Sequence, residues 1–343
     1  MKLVTFLHDG TPALGLFIEN NIYHLSEAAK KAGLAAPPDT MREFLDHWDE
    51  SFDKAKEVES AIKSQRAEIG PTSATYHQLL APVNEPTSCR DGYAFRQHVE
   101  AARRNRKVPM IAEFDQYPIF YFTNHNAIQG PGAIRCMPDH FQKLDFELEV
   151  AVVIGKKGRN IRASEADRYI AGYMIMNDMS ARTLQMEEML LNLGPAKGKD
   201  FSTVIGPWLV TPEELETRKV PAKPGHTGNN YDLSMTCRVN GITVSNGNMK
   251  DMDWTFAEII ERCAYGADIL PGDVIGSGTV GTGCFLELNG TGLLNDPKYN
   301  VQWLKDGDIV ELEIEGLGIL KNEIVREATD FSILALKKMP QNV

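Results

Sequence analysis

The stretch Asp145-Phe146-Glu147-Leu148-Glu149-Val150-Ala151-Val152-Val153-Ile154-Gly155 constrains this chain more than any other. Side chains along a strand point alternately to opposite faces, so a period of two sorts the stretch cleanly. Phe146, Leu148, Val150, Val152 and Ile154 form a core face. Asp145, Glu147 and Glu149 fall on the other face, about 7 Å apart along the strand. Like charges that close repel one another unless something neutralises them. Water and salt do so on a solvated sheet. A divalent cation held by two carboxylates does so in a site, and all-oxygen donors suit Mg²⁺, Mn²⁺ or Ca²⁺. Both readings stand at the level of this strand.

The 343 residues can bury a sizeable core. A net charge of -11 argues against nucleic acid or an anionic membrane as partner. It leaves open a small acidic substrate, which answers to local charge. No run approaches the roughly 20 apolar residues a membrane helix needs. The start, Met1 to Gly10, reads as strand and turn rather than as a signal peptide. Cysteines at 89, 136, 237, 263 and 284 are scattered, odd in number and without a C-x-x-C pair. Reduced thiols in a cytoplasmic protein are the expectation.

Residues 1 to about 35 read as short strands with turns at Asp9-Gly10 and Asn20-Asn21, then a helix from Ser26. A charged helix is predicted from Met41 to about Ala67, and a strand at Leu79–Val83. A boundary there gives a small N-terminal domain, 1–80, and a larger one, 81–343. Beyond Cys89 strands are predicted at 117–123, 145–155, 172–177, 202–210, 232–239, 272–276, 284–289 and 308–315. Helices are predicted at 93–106, 164–169, 180–192 and 255–263. Turn-separated strands with so few helices between them predict a mainly β (α+β) fold. The sheet should be mixed to antiparallel and rolled, with helices packed outside.

Arg90-Asp91-Gly92-Tyr93-Ala94-Phe95-Arg96-Gln97-His98 sets an acid seven residues before a histidine. On a helix that spacing is almost two turns, which puts both on one face. In Tyr173 to Gln185 an apolar strand ends at Asp178, a helix begins, and Gln185 follows seven residues on. Asp178 is there either an N-cap or a ligand. Gly194-Pro195-Ala196-Lys197-Gly198-Lys199 is a loop able to aim a lysine at a site. Gly276-Ser277-Gly278-Thr279-Val280-Gly281 spells G-x-G-x-x-G, but a strand rather than a helix is predicted after it, so no dinucleotide site is read. Its glycines would let backbone and Thr279 approach a ligand closely. Glu287, on the predicted 284–289 strand, faces solvent or is buried with a partner. A thiol nucleophile at Cys89 or Cys284 is conceivable, though no activating base suggests itself for either.

Leu270-Pro271-Gly272-Asp273-Val274-Ile275 with Gly276-Ser277-Gly278-Thr279, the Glu-x-Glu strand and Asn177-Asp178-x-Ser180-Ala181-Arg182 together resemble the fumarylacetoacetate hydrolase family. The resemblance runs from about Leu80 to the C-terminus, and more loosely over the N-terminal part. It implies a β-roll catalytic domain, a homodimer and a divalent metal, Mg²⁺ first and Mn²⁺ or Ca²⁺ next. It also implies metal carboxylates at Asp91, Glu147, Glu149 and Asp178 and a catalytic His98 oriented by Glu287. Oxyanion-stabilising groups fall on Gln185 and Lys199, and substrate contacts on Tyr93 and Thr279. The substrate arginine falls among Arg103, Arg104 and Arg106, and a second aromatic contact near Phe120 or Tyr121. The implied activity is hydrolysis of a carbon–carbon bond in a β-diketone acid, an acylpyruvate- or fumarylacetoacetate-like compound, by water that the His98–Glu287 pair activates. The alternative is a metal-dependent decarboxylase or tautomerase on an oxaloacetate-like acid. A cation-binding structural module is a third reading, though it has no use for His98 beside Glu287. The segment Glu100–Gln116 reads as a loop over the site that would select the acyl group.

Overall fold

A computed structural model describes residues 1–64 and 69–338. Its centre is the strand Leu148–Ile154, buried along its whole length. The period-two pattern has two buried consequences here, not one. Leu148, Val150, Val152 and Ile154 enter one hydrophobic core, and Ala151 and Val153 enter a second on the opposite face. The carboxylate face is therefore no solvated surface: Asp145 and Glu149 are fully buried, and Glu147 nearly so.

Leu148–Ile154 pairs antiparallel with Ile170–Asp178 on one side and with Asp273–Gly276 on the other. Among the described residues the large sheet runs Asn21–His24, Thr11–Ile18, Lys2–His8, Thr203–Val210, Ile170–Asp178, Leu148–Ile154, Asp273–Gly276, Ser88–Gly92, Phe120–Thr123, with the short Ile128–Gln129 beside Thr203–Val210. The first three strands thus extend this sheet, joined where Lys2 and Leu3 face Val210 and Leu209. Helices Leu25–Ala32, Met41–Asp46 and Trp48–Lys63 pack Leu25, Phe44, Leu45, Trp48 and Val58 onto its second-core face. A five-stranded sheet of Ile242–Asn248, Ser234–Val239, Ile309–Ile314, Gly318–Arg326 and Gly132–Cys136 packs over the other core. Most pairings are antiparallel and a few are parallel, so the fold is the mixed, open β architecture that the strand density predicts.

Several elements differ from expectation. The chain at 284–289 is not a strand but the start of the helix Phe285–Asn295. Its first amides, Phe285 N and Leu286 N, donate to the Asp145 carboxylate at 2.7 and 2.9 Å. The cap comes from a residue 140 positions away, so no local start signal exists to be read. Leu79–Val83 makes only an isolated bridge from Leu79 to Phe6. The helix expected from Met41 onward breaks at His47 into two and ends at Lys63; residues 65–67 of that expectation lie outside the described residues. Asp91 lies on the strand Ser88–Gly92, and the helix after it, Arg96–Asn105, starts later than predicted. Asp91 and His98 are therefore separated by a strand–helix junction and do not share a helix face. Of the segment 100–116, the first six residues complete that helix, and Phe114 is buried beneath Trp254, whose Nε1 donates to Phe114 O at 2.8 Å. Only the exposed part around 106–111 is loop. No helix among the described residues is long and apolar enough to cross a membrane. All five cysteines are free and buried.

Candidate active site

Four neighbouring strands bring the carboxylates together at one end of the large sheet. Across it, Asp91 faces Gly276, Gly276 faces Ala151, and Glu149 faces Met176, two residues before Asp178. Oxygens of Asp91, Glu147, Glu149 and Asp178 lie within 4.8 Å of one another, all buried. Gly276 makes this possible. A Cβ there would stand 2.5 Å from Asp91 Oδ1 and 2.9 Å from Glu149 Oε2, in the space where the two side chains meet. Gly278 N donates to both, at 3.0 and 3.2 Å, and Thr279 Oγ1 lies 3.5 Å from Glu149 Oε1. The Gly-rich turn thus holds carboxylates through its backbone, as the sequence suggested for a ligand.

Lys199 reaches in from the 194–199 loop, donating to Glu147 Oε2 and, at 2.8 Å, to Asp178 Oδ2. Arg182 lies beneath, donating to Glu147 Oε1 at 2.8 Å and to Asp145 Oδ2 at 2.9 Å. Its Nη1 also holds Gln185 Oε1 at 3.0 Å. The two cations set the electrostatics apart within one cluster. Burial alone would raise the Glu147 carboxyl, but Lys199 and Arg182 outweigh it and hold it at about 2. Asp91, without such a partner, is pushed up to about 7 by burial and by Asp178, and burial and Asp91 raise Glu149 well above the carboxylate range. Ionising all four would set four negative charges against the two cations, so burial keeps protons on Asp91 and Glu149 unless a cation replaces them. Asp178 Oδ1 is buried and without a hydrogen-bond partner. An all-oxygen set with surplus negative charge and an orphaned carboxylate oxygen fits a hard divalent cation.

Beside the cluster, His98 Nδ1 lies 2.6 Å from Glu287 Oε2, both side chains buried. Glu287 Oε1 accepts from Thr282 N at 2.9 Å, so the carboxylate is held from two sides. An ionised carboxylate can only accept, which puts the imidazole hydrogen on Nδ1 and leaves Nε2 as the free base. The Tyr93 ring stands edge-on to His98 with centroids 6.0 Å apart. Burial pushes its hydroxyl up to about 12, while Arg106 and Arg103 pull the other way. Both arginines are thus near Tyr93, yet their Nε atoms donate to backbone, Arg103 to Pro109 O and Arg106 to Ala102 O. Neither touches the carboxylates. Tyr121, expected against substrate, donates to Asp178 Oδ2 and so lies at the carboxylate cluster.

Two residues that the sequence reading passed over complete the site. Arg182 and Asp145 form a buried pair at 2.8 Å that ties the Glu147 strand to two helices. The signal was present: Asp145 shares the polar face of Glu147 and Glu149, and Arg182 closes the Asn177–Arg182 motif. Cys284 lies close to His98 and Glu147, so a base is at hand after all. Burial nonetheless pushes its thiol well up, which removes it as a nucleophile.

His140 supports the lysine loop. Its ring lies 4.0 Å from that of Phe201, and its Nδ1 accepts from Met137 N at 3.2 Å. Burial, then Lys197, lowers it to about 4. The folded protein keeps this imidazole neutral while the unfolded chain protonates it near pH 6.5. Stability from this group is therefore complete above about pH 6.5 and is lost as pH falls toward 4. Between pH 7 and 5, wild type should lose about 2 kcal/mol more than His140→Gln in denaturant titrations. Parallel losses in the two proteins would refute it.

Comparison with known proteins agrees with this geometry. The family model for the fumarylacetoacetate (FAA) hydrolase C-terminal domain matches residues 87–325. The human protein named oxaloacetate tautomerase FAHD2A, mitochondrial, is 32% identical over 84% of this chain and 80% of its own length. A fumarylacetoacetate hydrolase domain-containing protein 2 homolog of Dictyostelium discoideum is 30% identical over 94% of this chain and 97% of its own. Among solved structures, a fumarylacetoacetate hydrolase from Exiguobacterium antarcticum superposes with a TM-score of 0.65 at 24% identity, covering 95% of this chain and 100% of that one. Maleylpyruvate hydrolase from Sphingobium sp. SYK-6 gives 0.66 at 19% identity, with 95% and 100% covered. With its carboxylate strand, its Gly-rich turn and its buried histidine inside the matched region, the chain belongs to the fumarylacetoacetate hydrolase family.

Proposed function

We propose that this chain is a metal-dependent keto–enol tautomerase of a short, oxaloacetate-like 2-oxo dicarboxylic acid. The observation that carries the reading is the buried His98–Glu287 pair, 2.6 Å apart, beside the carboxylate cluster. Relatives of about 30% identity named oxaloacetate tautomerase support the choice of reaction. Asp91, Glu147, Glu149 and Asp178 would hold the cation, Mg²⁺ or Mn²⁺ by their donors, and when bound it supplies a Lewis acid for two chelating substrate oxygens.

The chain's own residues move the proton. His98 Nε2 takes it from the carbon between the two carbonyl groups. The C–H electron pair becomes the enol double bond, and the carbonyl pair moves onto oxygen. Glu287 stabilises the imidazolium that results and keeps its ring in place, as the acid of a Ser-His-Asp triad does. The same proton then passes to the enolate oxygen, or the sequence runs in reverse. Lys199 and Arg182 hold Glu147 charged throughout. Arg103 and Arg106, whose charges lower the Tyr93 hydroxyl, would meet a substrate carboxylate.

A second reading, hydrolysis of a carbon–carbon bond in an acylpyruvate-like acid, is favoured by Lys199, which donates to Glu147, the carboxylate within 4.8 Å of a His98 ring nitrogen. Such donors stabilise a tetrahedral alkoxide. Following the enol ultraviolet band with metal-stripped and Mg²⁺-loaded protein separates the two. The expected result is metal-dependent approach to keto–enol equilibrium on oxaloacetate, with no new product and acylpyruvates left intact. Two acids formed from an acylpyruvate would move the assignment to the hydrolase, and pyruvate formed from oxaloacetate would move it to a decarboxylase.

A further inference from the structure

Next to the all-oxygen cluster lies a second set of ligating atoms with different chemistry. A ring nitrogen of His98, a carboxylate oxygen of Glu147 and Cys284 Sγ lie within 4.8 Å of one another, all three residues buried. Imidazole and thiolate are the donors that Zn²⁺ takes and that Mg²⁺ or Mn²⁺ does not. An independent feature points the same way. A histidine that ligates metal almost always gives its other ring N–H to a carboxylate, which fixes the tautomer and strengthens the ligand. His98 already does so toward Glu287 at 2.6 Å, and Glu287 is itself pinned by Thr282 N.

We propose that His98, Glu147 and Cys284 form an inhibitory site for a soft divalent cation of the Zn²⁺ class, adjoining the hard-cation cluster and sharing Glu147 with it. Binding is a ligand exchange with no change of oxidation state. The cation replaces the thiol hydrogen of Cys284, which leaves as a proton, and takes the imidazole lone pair. Three protein ligands leave a fourth position open, as in zinc sites that are not purely structural. Both Glu147 oxygens already accept from Arg182 and Lys199, so the cation binds more weakly here than in a closed structural site. The inhibitory consequence rests on His98 as the proton-transfer base. The binding does not.

The test uses full-length protein saturated with Mg²⁺ and Co²⁺ as the spectroscopic probe. Wild type should develop a sulfur-to-cobalt charge-transfer band that Zn²⁺ displaces. Cys284→Ser should lack the band while retaining Mg²⁺-supported turnover, because serine is close to cysteine in size and is favoured at a helix N-cap position while Asp145 keeps its bonds to the first amides. Zn²⁺ should inhibit wild type at concentrations about tenfold or more below those needed for Cys284→Ser. Absence of the band in wild type, its persistence in Cys284→Ser, or equal zinc sensitivity of the two proteins would overturn the site. A Cys284-dependent band with undiminished turnover would instead overturn the inhibitory role, and with it the assignment of His98 as base.

Discussion

His98→Ala should lower turnover by about 10²–10⁴-fold, the range that a positioned proton-transfer group contributes, and leave the bound metal in place. The carboxylates that would hold the cation lie on strands of the large sheet and just before one of them, whereas His98 comes from the helix Arg96–Asn105. Removing the imidazole takes away the base without touching the cluster's scaffold. It also strands Glu287 inside the protein, which could unfold the chain for reasons unconnected with catalysis. His98→Gln guards against that, since its amide can still donate to Glu287, so it should fold like the parent and lose activity to a similar degree. Glu287→Gln should cost less than His98→Ala, and the double variant should be no slower than His98→Ala alone, because two residues acting as one unit are not additive. Metal content and circular dichroism recorded beside the rates complete the test. Turnover near that of wild type in folded, metal-loaded His98→Gln would remove the base from the mechanism.

Gly276→Ala should empty the metal site while the rest of the fold persists. The backbone at this position is ordinary strand, so alanine brings no dihedral strain. Its methyl, however, would stand 2.5 Å from Asp91 Oδ1, 2.8 Å from Met176 Sδ and 2.9 Å from Glu149 Oε2. Those atoms must move, and in a buried cluster they have no free space to move into. Metal affinity should fall by about 10–100-fold, as it does when ligand orientation is disturbed, and turnover by about 10²-fold from misplacement alone. Overpacking should cost about 1–3 kcal/mol of stability. Metal analysis after dialysis, against Glu149→Gln as the variant that lacks one ligand charge, checks the claim. Gly276→Ala with the metal content of wild type would mean that the cation sits elsewhere.

What could be read in advance, and what could not, follows from the range of each interaction. The Asp145–Gly155 strand declared its faces because period two is a property of the backbone, and the structure keeps that alternation. The chain alone could not say that both faces are buried, since one is covered mainly by strands and helices of the first 62 residues and the other by the five-stranded sheet, both distant in sequence. Asp91 and His98 read from sequence as lying on one helix, but the strand Ser88–Gly92 is set by pairing with Asp273–Gly276, far away in sequence. The helix that carries Glu287 stayed hidden because its cap is Asp145. Nothing in the sequence around Tyr121 announces that its hydroxyl donates to Asp178, 57 residues away.

One feature of the sheet sets how such a site can change over time. Asp91 pairs directly with Gly276, while Glu149 and Asp178 each lie two residues from the matched positions on the next strands, so their meeting is a matter of register. A slip of one residue in any strand would turn its contribution to the opposite core. The carboxylate cluster therefore depends on the pairing of the whole sheet and not on any one strand. Divergence in chemistry is left to pieces the register does not govern: the helix bearing His98, the loop bearing Lys199 and the residues around Arg106. On such a frame loops can be changed without disturbing the carboxylate cluster.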